Sequence, residues 1–188
     1  MKAWDYQVEI AKQVADMIRV FNICYLAMEE RTGKSITMLE ACEQLEGVNK
    51  ILIITKKKAM GGDPKEPPGW IELLDAYPLK KKYTLINYHS AKKIYNDGFD
   101  LVILDESHSY ISGYPKTSIL YKEIYKLVYG KPIIYSSATP YAQGPQLLYH
   151  QFKMSKWSPW AEYRNYYQWF DEFAERDEAG RLPITRIS

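Results

Sequence analysis

The stretch Ile23-Cys24-Tyr25-Leu26-Ala27-Met28-Glu29-Glu30-Arg31-Thr32-Gly33-Lys34-Ser35 decides the fold. It opens on an apolar run of strand length, crosses a polar loop that turns at Thr32-Gly33, and enters residues 34–45. There Ile36, Leu39, Cys42 and Leu45 fall on one helical stripe. In a strand–loop–helix unit of this kind, backbone N–H groups at the helix start point outward, and the helix dipole favours an anion in front of them. Lys34 is placed to reach the β- and γ-phosphates of a nucleotide as a point charge. The Ser35 hydroxyl is placed to ligate Mg²⁺, and Gly33 lets the backbone come close to phosphate. Met28, Glu29, Glu30, Arg31, Thr32, Gly33, Lys34 and Ser35 are therefore the candidate cofactor-binding loop, with ATP and Mg²⁺ as its ligands. Met28 stands where such a loop usually has its first glycine. A bare Gly-Lys-Ser tripeptide also occurs by chance, so the flanking strand and helix carry the assignment.

Working outward, residues 7–21 put Val8, Ala11, Val14, Ala15, Ile18 and Phe21 on one helical face. Residues 51–55 (Ile-Leu-Ile-Ile-Thr) form a second strand, whose near-continuous apolar character implies burial on both faces, as in parallel sheets. Gly61-Gly62-Asp63-Pro64 and Pro67-Pro68-Gly69 make a surface loop ahead of a helix over 70–76. Further strands are expected at 84–88, 101–104 and 131–135. A helix carrying Ile119, Glu123, Ile124, Leu127 and Val128 separates the last two, and one or two helices follow between Pro145 and Arg176. Strands spaced by helices predict an α/β domain with a mostly parallel β-sheet, helices on both faces and right-handed crossovers. Ligands of such a sheet gather at the carboxyl ends of its strands.

The second chemical signal lies at one of those ends. Leu101-Val102-Ile103-Leu104 runs into Asp105-Glu106-Ser107-His108. A carboxylate pair at a strand end is often only the start of a solvated loop. Here it shares a sheet edge with the phosphate loop, as magnesium–nucleotide chemistry requires. Asp105 can hold Mg²⁺, directly or through water, and Glu106 can polarise the attacking water. His108 has two readings, a plain structural loop histidine or a sensor of the γ-phosphate. The candidate catalytic set is Lys34, Asp105, Glu106 and His108, and the candidate metal ligands are Ser35 and Asp105.

Composition fits this without deciding it. The 188 residues are 46% hydrophobic and 26% charged, enough apolar content for a real core and too little charge for a disordered chain. The net charge of +2 does not by itself announce a nucleic-acid binder, although Lys56-Lys57-Lys58, Lys80-Lys81-Lys82 and Lys92-Lys93 are local clusters. Two cysteines, Cys24 and Cys42, show neither metal-ligand spacing nor a disulfide framework, so a reducing cytoplasm and no disulfides are expected. The first residues do not read as a signal peptide, and no apolar run reaches the ~18 residues of a membrane span. Seventeen tyrosines, many in the last third, read as half-buried packing or a partner-facing surface.

Taken together, the chain resembles the first RecA-like domain of the superfamily-two helicases and translocases, a P-loop NTPase domain. Asp105-Glu106-Ser107-His108 looks like their DExH box. Ser137-Ala138-Thr139 looks like the third motif, which couples hydrolysis to nucleic-acid handling. Tyr6-Gln7 looks like the adenine-reading motif, with residues 1–22 as its helix. Thr55-Lys56 and Asn87-Tyr88 resemble two motifs that touch the nucleic-acid backbone. Ala138-Thr139-Pro140-Tyr141-Ala142-Gln143, with Leu147-Leu148 after it, is similar to the Swi/Snf branch and its phage and bacterial relatives, although that branch often has glycine where Ala138 stands. The resemblance runs from Trp4 to about Leu148, with residues from about 145 to 188 as a C-terminal helical segment.

The resemblance implies an ATP hydrolase that moves on nucleic acid, DNA favoured over RNA. In such motors a second RecA-like domain supplies an arginine finger. Arg164, Arg176, Arg181 and Arg186 read as surface arginines instead, so a half-motor, slow or inactive alone, is the expectation. Lys56 and the Asn87-Tyr88 region are the favoured nucleic-acid contacts, and Lys80–Lys82 read as solubilising charge. Two other classes remain open: a non-catalytic module in which ATP tunes DNA or protein binding, and a small-molecule kinase on the same phosphate loop. Gln7 and Ser137-Ala138-Thr139 argue against the kinase.

Overall fold

A computed structural model describes residues 2–65, 67–94, 98–113, 115–140 and 144–173. Tyr141, Ala142 and Gln143 of the Swi/Snf-like stretch lie outside the described residues, as do Arg176, Arg181, Arg186 and the end of the C-terminal segment.

Among the described residues five strands, β1 (Ile23–Ala27), β2 (Lys50–Thr55), β3 (Lys82–Asn87), β4 (Leu101–Asp105) and β5 (Ile133–Ser137), form one sheet in the order β1-β5-β4-β2-β3. Every pairing is parallel. The helices are α1 (Asp5–Phe21), α2 (Lys34–Glu43), α3 (Trp70–Ala76), α4 (Ile119–Val128), α5 (Leu147–Lys153) and α6 (Tyr166–Phe173). This is an α/β fold with an all-parallel sheet flanked by helices, consistent with a RecA-like domain.

The central strands β2, β4 and β5 carry buried apolar runs because both faces are covered, while the edge strand β3 is only partly buried. Cys24, Leu26, Ile51, Ile53, Leu101, Ile103 and Ile134 belong to one core, with Ala11, Val14, Ala15 and Ile18 of α1, Met38, Leu39, Ala41 and Cys42 of α2, and Trp70 of α3. Their neighbours Ile23, Leu52, Ile54, Val102, Leu104, Ile133 and Tyr135 belong to the other, with Tyr121, Ile124, Leu127 and Val128 of α4. The period of two along each strand thus feeds two cores. A third cluster, Tyr149, Tyr166, Trp169 and Phe170, joins α5 to α6.

Several expectations shift. On α1, Val8 and Phe21 are 40% and 53% exposed, and the buried stripe is Gln7, Ala11, Val14, Ala15 and Ile18. Gln7 replaces an apolar residue there because its amide is spent on hydrogen bonds. The fifth strand starts two residues later than expected, since Lys131 and Pro132 belong to the turn after α4. The third strand ends at Asn87, and Tyr88 starts a short 3₁₀ helix, Tyr88–Lys93. Lys81 is not free solubilising charge: its ammonium donates to the carbonyls of Cys42 and Leu45 and so caps the end of α2. Among the described residues no helix is long and apolar enough to cross a membrane. Cys24 and Cys42 are free and buried, and burial pushes their thiols up to about 11 and 12.

Candidate nucleotide site

Because all strands run parallel, Ala27, Thr55, Asn87, Asp105 and Ser137 end on one edge. β5 lies between β1 and β4, so the phosphate loop and the acidic turn are two strand spacings apart, about 10 Å. Ser136 and Ser137 stand between them, with Ala27 in register with Ser137 and Asp105 with Ser136.

The phosphate loop is held by its own backbone. The Lys34 ammonium donates to the carbonyls of Met28 and Glu29, each at 3.1 Å. Thr32 Oγ1 donates to the Glu29 carbonyl at 2.7 Å. Tyr6 Oη and Gln7 Nε2 donate to the Thr32 carbonyl at 2.8 and 3.2 Å, and Gln7 Oε1 accepts from the Trp4 amide at 2.9 Å. Gln7 therefore fastens α1 to the loop. Gly33 is required twice over. Its φ is +83°, and a Cβ there would lie 2.1 Å from Gln7 Nε2. Arg31 is also left-handed, at φ +63°. The Met28 side chain packs against the first core, so it offers the site only its main chain. Glu29, Glu30 and Arg31 are exposed, and Ser35 sits half-buried in the first turn of α2.

The acidic turn is held from elsewhere in the fold. Asp105 is buried, and both carboxylate oxygens are occupied. Oδ1 accepts from Ser136 Oγ at 2.6 Å, while Oδ2 accepts from Thr55 Oγ1 at 2.8 Å and Trp70 Nε1 at 2.9 Å. A carboxylate has about four acceptor positions, so these three donors orient it and leave room for one more. Glu106 follows in the left-handed region, φ +52°, ψ +41°, a conformation unfavourable for a residue with a Cβ. Among the described residues the third non-glycine residue at positive φ, Asn22, simply ends α1. The other two, Arg31 and Glu106, lie in the two candidate nucleotide-binding segments.

His108 joins the acidic turn to the end of β5. Its Nδ1 lies 2.7 Å from Ser137 Oγ and 3.5 Å from Glu106 Oε2, and its Nε2 is 2.9 Å from Ser109 Oγ and 3.5 Å from Thr139 Oγ1. The Thr139 amide donates to Ser137 Oγ at 2.9 Å. Burial pulls the imidazole below its ordinary value; Glu106 opposes this and Lys56 reinforces it.

Two of the candidate nucleic-acid contacts are placed elsewhere. Thr55 is fully buried and serves Asp105. Tyr88 is fully buried, donates from Oη to the Asp105 carbonyl at 2.8 Å and stacks on Tyr110 with centroids 4.3 Å apart. A buried carboxylate and its carbonyl need donors, and the adjoining strand ends supply them. Asn87 accepts from the Ser90 amide and hydroxyl, and so caps the 3₁₀ helix. Lys56 remains half-buried at the edge, beside the exposed Lys57 and Lys58. Sequence reasoning missed Trp70 and Ser136, because neither an indole on a helix nor a serine inside a strand carries a motif.

No protein-family model matches the chain, and no curated protein matches it in sequence. Among solved structures, it is similar to a nuclease-deletion mutant of the Type ISP restriction-modification enzyme LlaGI in complex with a DNA substrate mimic. The TM-score is 0.50 and the identity 18%, over 74% of this chain and 18% of that one. The chain thus spans less than a fifth of that enzyme, and at this identity the likeness is one of fold.

Proposed function

We propose that this chain is the ATP-binding motor domain of an ATP-dependent DNA helicase or translocase, a RecA-like domain that needs a second domain for full activity. The observation that carries the reading is the shared edge. A glycine-turned phosphate loop and a fully oriented buried aspartate flank β5, and His108 hydrogen-bonds the acidic turn to Ser137 at the end of that strand. The DNA substrate mimic bound by the LlaGI mutant favours DNA as the polymer.

In this reading Lys34 leaves its two carbonyl partners to meet the β- and γ-phosphates, and the N–H groups at the start of α2 receive the same charge. Gln7 holds the loop from α1, and reading the base requires its amide to exchange its bonds to Thr32 and Trp4 for the edge of the base. Glu106 orients the attacking water and accepts its proton. His108 registers the γ-phosphate and passes its presence to Ser137 and Thr139. Ser35 and Asp105 would hold Mg²⁺. They fit, since the oriented Asp105 carboxylate keeps one acceptor position beside its three donors, and Mg²⁺ takes few protein ligands beside phosphates and waters. Bound there, the ion supplies neutralisation of phosphate charge. Lys56, Lys57 and Lys58 on the same edge would take DNA phosphates, giving sequence-independent and salt-sensitive contact.

The test is titration with a fluorescent ATP analogue and Mg²⁺, beside turnover with and without duplex DNA. Lys34→Ala should weaken binding by roughly 10- to 100-fold, the loss of charge-assisted bonds to phosphate. Glu106→Gln should leave affinity within about threefold and lower whatever turnover is present by about 10² or more. Wild-type binding that ignores Lys34→Ala would sink the assignment. Tight binding without turnover, even with a second motor domain added, would favour a nucleotide-gated binding module.

A further inference from the structure

Gln151 on α5 is fully buried, and its amide makes four hydrogen bonds. Nε2 donates to the Pro140 carbonyl at 3.2 Å and the Leu147 carbonyl at 2.9 Å. Oε1 accepts from Tyr25 Oη at 2.8 Å and Ser107 Oγ at 2.7 Å. Carbonyls only accept, so the NH₂ group must face Pro140 and Leu147. Oε1 must then face the two hydroxyls, and both hydroxyls must donate. Burial pushes the Tyr25 phenol up to about 12, so it keeps the proton it donates. Each capacity of the amide is used, and a turned or missing amide leaves buried partners unpaired.

The partners come from separate parts of the candidate site. Tyr25 lies on the strand that leads into the phosphate loop, Ser107 lies between Glu106 and His108, and Pro140 follows Ser137-Ala138-Thr139. Leu147 is one turn back on α5 itself, and Tyr149 of that helix packs into the aromatic cluster with Trp169 and Phe170.

We propose that Gln151 is a positioning residue that ties the acidic turn, the loop after β5 and β1 to α5, so that a change at the acidic turn on nucleotide binding is carried into α5 and the aromatic cluster behind it. This rests on the nucleotide reading above. Glu106, adjacent to Ser107, holds a left-handed backbone that a residue with a Cβ disfavours, and is the strained point of the turn. Mere structural glue would need the same four bonds but would not make α5 respond to nucleotide.

The test is amide hydrogen exchange on the full chain, with and without Mg²⁺ and a non-hydrolysable ATP analogue. In the wild type, exchange should slow about fivefold or more both at residues 29–36 and at 147–152. Ser107→Ala and Tyr25→Phe each delete one hydroxyl donor with little change of shape. In both, protection at 29–36 should persist, while that at 147–152 falls below about twofold. Gln151→Leu should behave in the same way if it folds, but the two milder variants decide the matter. Equal protection of α5 in those variants, or a wild-type α5 that ignores nucleotide while 29–36 responds, overturns the role of Gln151 alone. No protection at 29–36 in the wild type overturns the nucleotide reading, and this inference with it.

Discussion

The phosphate loop and the acidic turn share an edge but are held in opposite ways. The loop closes on itself: Lys34 and Thr32 donate to carbonyls three to six residues away, and Tyr6 and Gln7 reach in from α1. The acidic turn is fixed from a distance by Thr55 on β2, Trp70 on α3 and Ser136 on β5. A loop bonded mainly to its own backbone can rearrange around a ligand at small cost to the fold. A buried carboxylate with three donors from other elements is orientated before any ligand arrives, and disturbing it disturbs the core.

The largest expected effect therefore lies on the acidic side. Thr55→Val and Trp70→Phe each remove one donor from a buried carboxylate and should each cost about 1–3 kcal/mol of stability in denaturant unfolding. If both variants unfold like the wild type, the contrast fails. Next comes Gly33→Ala. The left-handed backbone alone should cost about 1–2 kcal/mol. The meeting with Gln7 adds to this, so Gln7→Ala should recover about 0.5 kcal/mol or more in a double-mutant cycle. Full additivity would mean that Gln7 does not press on the loop.

The smallest effect is one of pH. His108 and His150 are both held below the ordinary histidine value, chiefly by burial. The unfolded chain therefore takes up these protons at higher pH than the folded chain. Stability is full above about pH 6.5 and declines as pH falls through that value. His108→Asn should flatten the melting curve between pH 7 and 5 by about 2 °C or less. A steeper pH dependence in that variant would reverse the sign assigned to His108.

The sequence made the strands, the helices and the position of the 28–35 loop and the 105–108 turn at strand ends readable, because apolar period, glycine turns and short motifs are local signals. Helix α3 and helix α4 fell on the expected residues for that reason. What stayed hidden depended on tertiary register. Thr55 and Tyr88 are expected at the nucleic acid from the motifs they resemble, yet strand pairing sets Thr55 beside Asp105 and the Tyr88 hydroxyl reaches the Asp105 carbonyl. Gln151 reads as an ordinary helix glutamine until residues 25, 107 and 140 are brought to it.

The placement of β1 has a consequence for assembly. Among the described residues β5 is its one strand neighbour, and Ile23 is in register with Ile133. On a ribosome, β2, β3 and β4 can pair while β1 still waits for a partner more than a hundred residues downstream. The strand that leads into the candidate phosphate loop therefore meets the acidic turn only through β5, so the two candidate segments share an edge once that distant strand is in place.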